Sequence, residues 1–483
     1  MSVRTGVTGR VLGLSAAGGA ALWVALFLLR GVPDLRDVAW AEAVLQLGAL
    51  VVVPLGLRLV AETRSAAERR LAAWSALGQP LGALALVLSF GLAEGELAGA
   101  LALPWLAVTL LVGLRGVVRF LSRPGRRDPA ELAVDAALAF LAVGGGWTLL
   151  ARAGIRPLGF SAAIVLLTGI HFHYAGFALP LATGLAARRR SGGPARAAAW
   201  GVILGVPAVA VGITASQLGA MPGVEAAAAV WMAAAGLLAA WLHLALALRP
   251  GAPGAARLLW LVAGAALVFG MPFAALYGLR GAHALPLDLP TMRALHGTVL
   301  ALGFGVAASL GWTLAARRNG LAELPDELER ERGPMDSATT DDPRRRRPAP
   351  ESRLPRFLRL LTAIHAVGAL ACLVMAAGSA LSPGFRDALV VSGGSALMVE
   401  LFGGWTWAFL LFVGAVLATL AGASWRVRPW AWHLTLIVYG IGVLGSLWQV
   451  SLGIPQGWLS GAVNGAVVAY AARPKVRRAY LGA

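Results

Sequence analysis

Seven histidines occur in 483 residues, and two of them share one segment, GIHFHYAGFALPLATG at 169–184. An imidazole can ligate a metal or haem, relay a proton or hydrogen-bond a solute, so His171 and His173 are the first candidates for chemistry. Their spacing limits what they do together. On a regular α-helix, positions i and i+2 point about 200° apart. One metal ion would therefore need local unwinding to meet both rings, and Gly169, Gly176 and Pro180 give the segment that latitude. On an intact helix His171 shares a face with Tyr174, while His173 serves a different neighbour. A second segment, LPTMRALHGTVLALGFG at 289–305, carries His296 followed by Gly297, which admits close approach of another helix. The remaining histidines, His243, His283, His365 and His433, lie near predicted span ends or in a loop, where a bond to a carbonyl or contact with water accounts for them. For His171, His173 and His296, packing inside a helix bundle stands as the alternative to a functional role.

The elements that must carry these residues follow from composition. Apolar residues make up 58 %, charged residues 13 %, and the mean hydropathy is +0.74. A soluble domain carries roughly 25 % charged residues. These values exclude a soluble enzyme, a disordered chain and a disulfide-stapled domain. The lone Cys372 rules out an internal disulfide or a cysteine-based zinc site. What remains is an all-α integral membrane protein. A bilayer-spanning helix needs about 20 mostly apolar residues. About fourteen such runs occur: 11–29, 38–60, 72–92, 97–118, 131–151, 159–186, 197–218, 225–248, 257–279, 293–315, 359–381, 399–423, 430–450 and 457–472.

Basic residues test that count, because they collect in cytoplasmic loops. With the N-terminus inside, only Arg30, Arg36, Arg152, Arg156, Arg280, Arg293 and Arg386 of the 41 Lys and Arg fall outside. The other 34 lie on the inner side. A missed span would invert every later loop and destroy this separation. Both termini are thus expected in the cytoplasm, and the net charge of +18 is a topology signal that implies no nucleic acid. Trp40, Trp74, Trp200, Trp312, Trp425, Trp430 and Trp432 lie near span ends, where indoles favour the headgroup layer. Glu42, Glu225 and Glu400 open spans at the outer interface as solvated positions.

Composition also divides the chain. Residues 1–316 form a ten-helix module and 359–483 a four-helix module. The charged, Pro-rich stretch at 317–358 cannot bury enough apolar surface to fold and reads as a disordered cytoplasmic linker. Five spans in each half of the first module permit an inverted repeat, although the halves show no self-similarity. Counted from Gly159, His171 and His173 lie about 18–21 Å along the sixth span. His296 lies just inside the tenth, so a depth difference on the order of 15 Å separates the two sites. That geometry favours a chain of polar groups leading inward over a shared metal site.

HFHYAGFALPL (171–181) and MRALHGTVLALGF (292–304), in this order and spacing, resemble the YndJ-like family of bacterial membrane proteins over roughly the first 315 residues. Leu300 stands where the family often carries a polar Asn after the second His-Gly. The resemblance implies a multi-pass membrane protein and draws attention to His171, His173, Tyr174 and His296. The tail from 399, with FGGWTWAFLLFVGAVLATLAG and GAVNGAVVAYAARPKVRRAYLG, is similar to a small four-helix bacterial module. No P-loop, nucleophile elbow, H-E-x-x-H or CxxC motif is present, and nothing specifies a cofactor. The expectation is a bacterial inner-membrane, transporter-like protein passing a small or lipophilic solute, with the mid-membrane histidines lining its path. An intramembrane metal or haem enzyme and a non-catalytic assembly or sensing component are the alternatives.

Overall fold

The computed structural model describes residues 7–61, 65–123, 128–219, 223–249, 254–280, 287–318, 356–381, 406–451 and 456–481. Residues 319–355 of the linker expected at 317–358, His283, Arg386 and Glu400 lie outside them, while 317–318 and 356–358 belong to helices. All regular elements among the described residues are helical, and they divide into two compact units, Met1–Gly333 and Pro334–Ala483.

The first unit contains ten helices long and apolar enough to cross a membrane: α1 (Val7–Arg30), α2 (Val38–Leu59), α3 (Ala66–Ser89), α4 (Glu96–Leu121), α5 (Pro129–Arg152), α6 (Ala162–Arg189), α7 (Gly193–Gln217), α8 (Val224–Ala247), α9 (Gly254–Gly278) and α10 (Leu289–Ala316). The second contains α11 (Arg356–Leu381), α12 (Thr406–Trp425), α13 (Pro429–Ser451), α14 (Gln456–Ala471) and the short α15 (Pro474–Leu481). Thirteen of these helices reach spanning length and hydropathy among the described residues. The expected fourteenth, α14, runs 16 residues, about 24 Å at 1.5 Å per residue, against a hydrocarbon core of roughly 30 Å.

Several starts are set by local chemistry. The Asp128 side chain accepts from the Ala130 N–H at 3.0 Å with Pro129 behind it, and Asp288 accepts from the Thr291 N–H at 2.8 Å ahead of Pro290. Ser161 caps α6 in the same way. These caps place the α6 start at Ala162 and the α10 start at Leu289, where the sequence reading had 159 and 293.

Burial distinguishes the inner from the lipid-facing helices. Of the residues in the spanning stretch, 83 % are buried in α2, 61 % in α10 and 56 % in α6, against 17 % in α1. These three inner helices share a further property, because each contains π-helical turns. They occupy Gly48–Val52 in α2, Phe172–Ala178 in α6, and Arg293–Gly297 with Val299–Val306 in α10. The three regions pack on one another. Widened turns leave backbone carbonyls poorly paired, and inside a membrane no water is present to satisfy them. Side chains from other helices do so here. Trp23 Nε1 donates to the Ala43 carbonyl at 2.7 Å, Tyr174 Oη to Val44 at 2.9 Å and Gln79 Nε2 to Ala49 at 2.9 Å.

Tyr174 stands at the centre of the junction. A Cβ on Gly305 would lie 2.7 Å from its ring, and one on Gly48 3.3 Å from it. Both positions are glycine because the α2 and α10 backbones close on the two sides of one aromatic ring. Trp40 Nε1 ties α2 to α10 through Thr298 Oγ1 at 2.7 Å, at the residue between the two π stretches of α10. Trp40 and Trp312 are buried, and so do not belong to the aromatic belt expected for them. Trp74, Trp200 and Trp425 are exposed on the unit surfaces, as that belt requires.

Arginines counted as loop charges also turn inward. Arg115 and Arg119 of α4 are buried, with Arg115 Nε 2.6 Å from Glu68 of α3 and Arg119 Nε 3.0 Å from Asp135 of α5. Arg123 reaches Asp135 at 2.9 Å and Glu131 at 3.0 Å, and Arg188 of α6 pairs with Glu131. The Glu68–Arg115 pair joins α3 to α4, and the Arg119, Arg123, Arg188, Glu131 and Asp135 cluster joins α4 to α5 and α6, at the end of the bundle that carries Arg188.

The second unit packs around Leu361, Leu417, Leu420, Tyr439 and Tyr480. His365 is buried within it, its two ring nitrogens each 3.3 Å from the hydroxyls of Ser424 and Thr435.

Candidate functional site

A cavity of about 420 Å³ lies between α2, α5, α6, α7, α8, α9 and α10. Its walls are mostly apolar, with Trp147, Phe160, Met271 and Phe304 among them. Its polar lining includes His171, Tyr174, Arg293 and His296. Glu225 and Arg280 sit at its mouth, on the face opposite the Arg188 network, where α8 and α10 begin and α9 ends. Arg280 forks onto Glu225 with N–O distances of 2.7 and 2.9 Å. That hydrogen bond raises the Arg280 guanidinium above its ordinary range, so the mouth carries a permanent ion pair. Glu225 is therefore a partnered acid, not a solvated one, and Glu42 lies 3.9 Å from Arg152.

His171 and His296 line the same cavity, which corrects the expected depth difference. Counted from the capped helix starts, His171 is nine residues into α6 and His296 seven into α10. The separation in depth falls to about 3 Å. His296 Nδ1–H donates to the Gly270 carbonyl of α9 at 2.8 Å, so in the neutral ring Nε2 is the acceptor. His171 Nε2 is buried and has no hydrogen-bond partner.

His173 points elsewhere. It is fully buried, its Nδ1 lies 2.8 Å from the Gly169 carbonyl, and its Nε2 accepts from Trp105 Nε1 of α4 at 3.1 Å. A carbonyl can only accept and an indole N–H only donate, so this ring is a neutral Nδ1–H tautomer with both nitrogens used. The same arrangement recurs at His243, whose Nδ1 bonds the Ala239 carbonyl at 2.8 Å and whose Nε2 accepts from Trp312 at 3.3 Å. His173 is thus a clasp between α4 and the π region of α6, outside the cavity. The helix around it is widened but not unwound, so the condition for joint metal binding by His171 and His173 is not met. Among the described residues no group of three or more His, Cys, Asp or Glu is arranged to hold a metal ion.

Sequence reasoning did not find Arg293 as a cavity residue, because it was counted as a loop charge. Its Nε is buried without a partner. Buried unpaired polar atoms carry a stability cost of about 1–3 kcal/mol. Replacing His171 by Phe is accordingly expected to stabilise the protein by about 1–3 kcal/mol. Thermal unfolding in nanodiscs checks this, and a destabilised His171→Phe variant would show that the ring is already satisfied.

Residues 43–304 match the YndJ-like protein family. Among known proteins, the uncharacterized membrane protein YndJ of Bacillus subtilis (strain 168) is 29 % identical over 219 residues, covering 45 % of this chain. The match spans 38 % of that relative's own length. No solved structure matches. The matched region takes in most of α2, all of α6 and the cavity-lining part of α10 with His296. With a family match extending over more than half of its residues and a bundle of membrane-spanning helices built around that region, the chain belongs to the YndJ-like protein family.

Proposed function

We propose that the protein is a bacterial inner-membrane transporter that passes a small, lipophilic solute through the cavity lined by His171, Tyr174 and His296. The observation that carries this reading is the cavity itself. It is apolar, of ligand size, set among three π-containing helices, and lined at one end by Glu225 and Arg280, beside the starts of α8 and α10. On the opposite face the Glu68–Arg115 pair and the Arg119, Glu131, Asp135 and Arg188 cluster seal the bundle. By the arginine distribution the face with Glu225 and Arg280 is periplasmic and the sealed face cytoplasmic. Such an arrangement supports alternating access, in which a substrate site at mid-depth is reached from one side at a time. Widened turns at the junction supply bendable points along α2, α6 and α10.

Filling the cavity tests the reading. Ala210 and Ala274 line it from α7 and α9. In proteoliposomes, saturable uptake of decanesulfonate or decyltrimethylammonium is expected. These are charged amphiphiles that leak slowly through bare lipid. Ala274→Phe and Ala210→Phe are expected to lower it at least about tenfold, while unfolding stays near wild type. In nanodiscs, 10-bromodecan-1-ol should quench Trp40 and Trp147 saturably, and the same variants should lose that component. Uptake of neither probe, or uptake unchanged by the filled cavity, would overturn the proposal.

A further inference from the structure

The charged residues that line the cavity are Glu225, Arg280 and Arg293, one acid against two guanidinium groups. Arg280 is matched by Glu225 at the mouth, and Arg36 by Asp288 at 3.0 Å on the exposed rim. Arg293 lines the same cavity, forms no ion pair or hydrogen bond with another described residue, and keeps its Nε buried. Asp37, which is not on the cavity wall, acts on it through space. A half-buried guanidinium on an apolar wall, with one N–H already out of reach of water, is a ready partner for an anion. Two further groups near that cation are also unfulfilled. His171 Nε2 is buried without a partner, and His296 Nε2 is an acceptor on the cavity wall.

From this set we infer that the cavity takes a monocarboxylic amphiphile, with the carboxyl group on Arg293 and His296 and the alkyl chain among Trp147, Phe160, Met271 and Phe304. The inference rests on the transport reading and names the substrate class for it. One carboxylate oxygen accepts from the Arg293 guanidinium. Binding takes up one proton from water, which His296 Nε2 holds and donates to the other oxygen, with the ring oriented by the Gly270 carbonyl. Size agrees. A cavity of about 420 Å³ falls within the roughly 300–1,000 Å³ of small-ligand pockets, which accommodates a ten-carbon amphiphile. A cationic amphiphile would bring a second positive charge to Arg293, and a neutral alcohol would leave the guanidinium unpaired.

Binding to the full chain in nanodiscs tests this with 10-bromodecanoate, 10-bromodecan-1-ol and decyltrimethylammonium, read by tryptophan quenching, with the last probe displacing the brominated ones. Wild type is expected to hold the carboxylate at least about tenfold more tightly than the alcohol, and the cation least. Arg293→Gln should erase the preference by weakening the carboxylate at least about tenfold relative to the alcohol, and Arg293→Lys should restore part of it. Should Arg293→Gln fail to fold, the wild-type ranking and Arg293→Lys still decide. If acid and alcohol bind alike, if the cation is preferred, or if the preference survives Arg293→Gln, the inference falls and the cavity reading stands. If no probe binds saturably, both fall.

Discussion

Glu68→Ala is expected to cost about 3–5 kcal/mol of stability, the loss typical of stripping one partner from a buried ion pair. Arg115 and Glu68 are both fully buried, 2.6 Å apart, and Arg115 Nη2 also holds the Val60 carbonyl at 3.2 Å. Removing the acid leaves the guanidinium enclosed with a backbone oxygen in place of a charge. The double variant Glu68→Ala with Arg115→Met, compared with each single substitution, removes both charges and is expected to recover most of the loss, since no uncompensated buried charge then remains. Unfolding of the single and double variants in nanodiscs gives the coupling directly. Additive losses would show that the pair does not hold α3 to α4. Because the pair belongs to the sealed face of the bundle, Glu68→Ala should also let the Arg188 side open. Cysteine accessibility from that side is expected to rise at Ala187, which is buried in the intact protein.

The membrane class and the helix order were readable because they depend on local composition. Twenty apolar residues are a local fact, and so is an Asp-Pro helix start at Asp128 or Asp288. The alternation of arginine-rich connections is likewise a local feature, and it sets the expected direction of each crossing. Partnerships were not readable. Glu68 and Arg115 are 47 residues apart, and His173 and Trp105 are 68 apart, so nothing in either neighbourhood announces the contact. Arg115 was therefore taken for a loop charge and Trp312 for a belt residue. The shared depth of His171 and His296 was missed for a smaller reason. Starting α6 three residues early and α10 four residues late added enough helix rise to separate two residues that line one cavity. The π turns have no sequence signature beyond glycines that are common throughout this chain, and they follow from tertiary contact between α2, α6 and α10.

The adjacent histidines His171 and His173 are expected to respond in opposite ways, and the larger response belongs to His173. His173→Ala should destabilise the protein by about 3–5 kcal/mol. The ring fills space against Trp105, at 5.7 Å between centroids and 17° between planes, and its loss leaves the Trp105 N–H buried without an acceptor. His173→Leu restores volume but not the acceptor, and should retain about 1–3 kcal/mol of that loss. His173→Gln offers one donor and one acceptor, and should be the mildest of the three. A fold clasp predicts this ranking together with saturable 10-bromodecan-1-ol binding in every variant that remains folded. A cavity residue predicts the reverse, with stability preserved and binding lost. Thermal unfolding and quenching measured on the same nanodisc samples separate the two. If His173→Leu proved as stable as wild type, the Trp105 bond would not be holding α4 to the π region of α6. The orientation of His171 toward the cavity would then need another support, because His171 ends the α-helical segment that leads directly into the widened turn carrying His173.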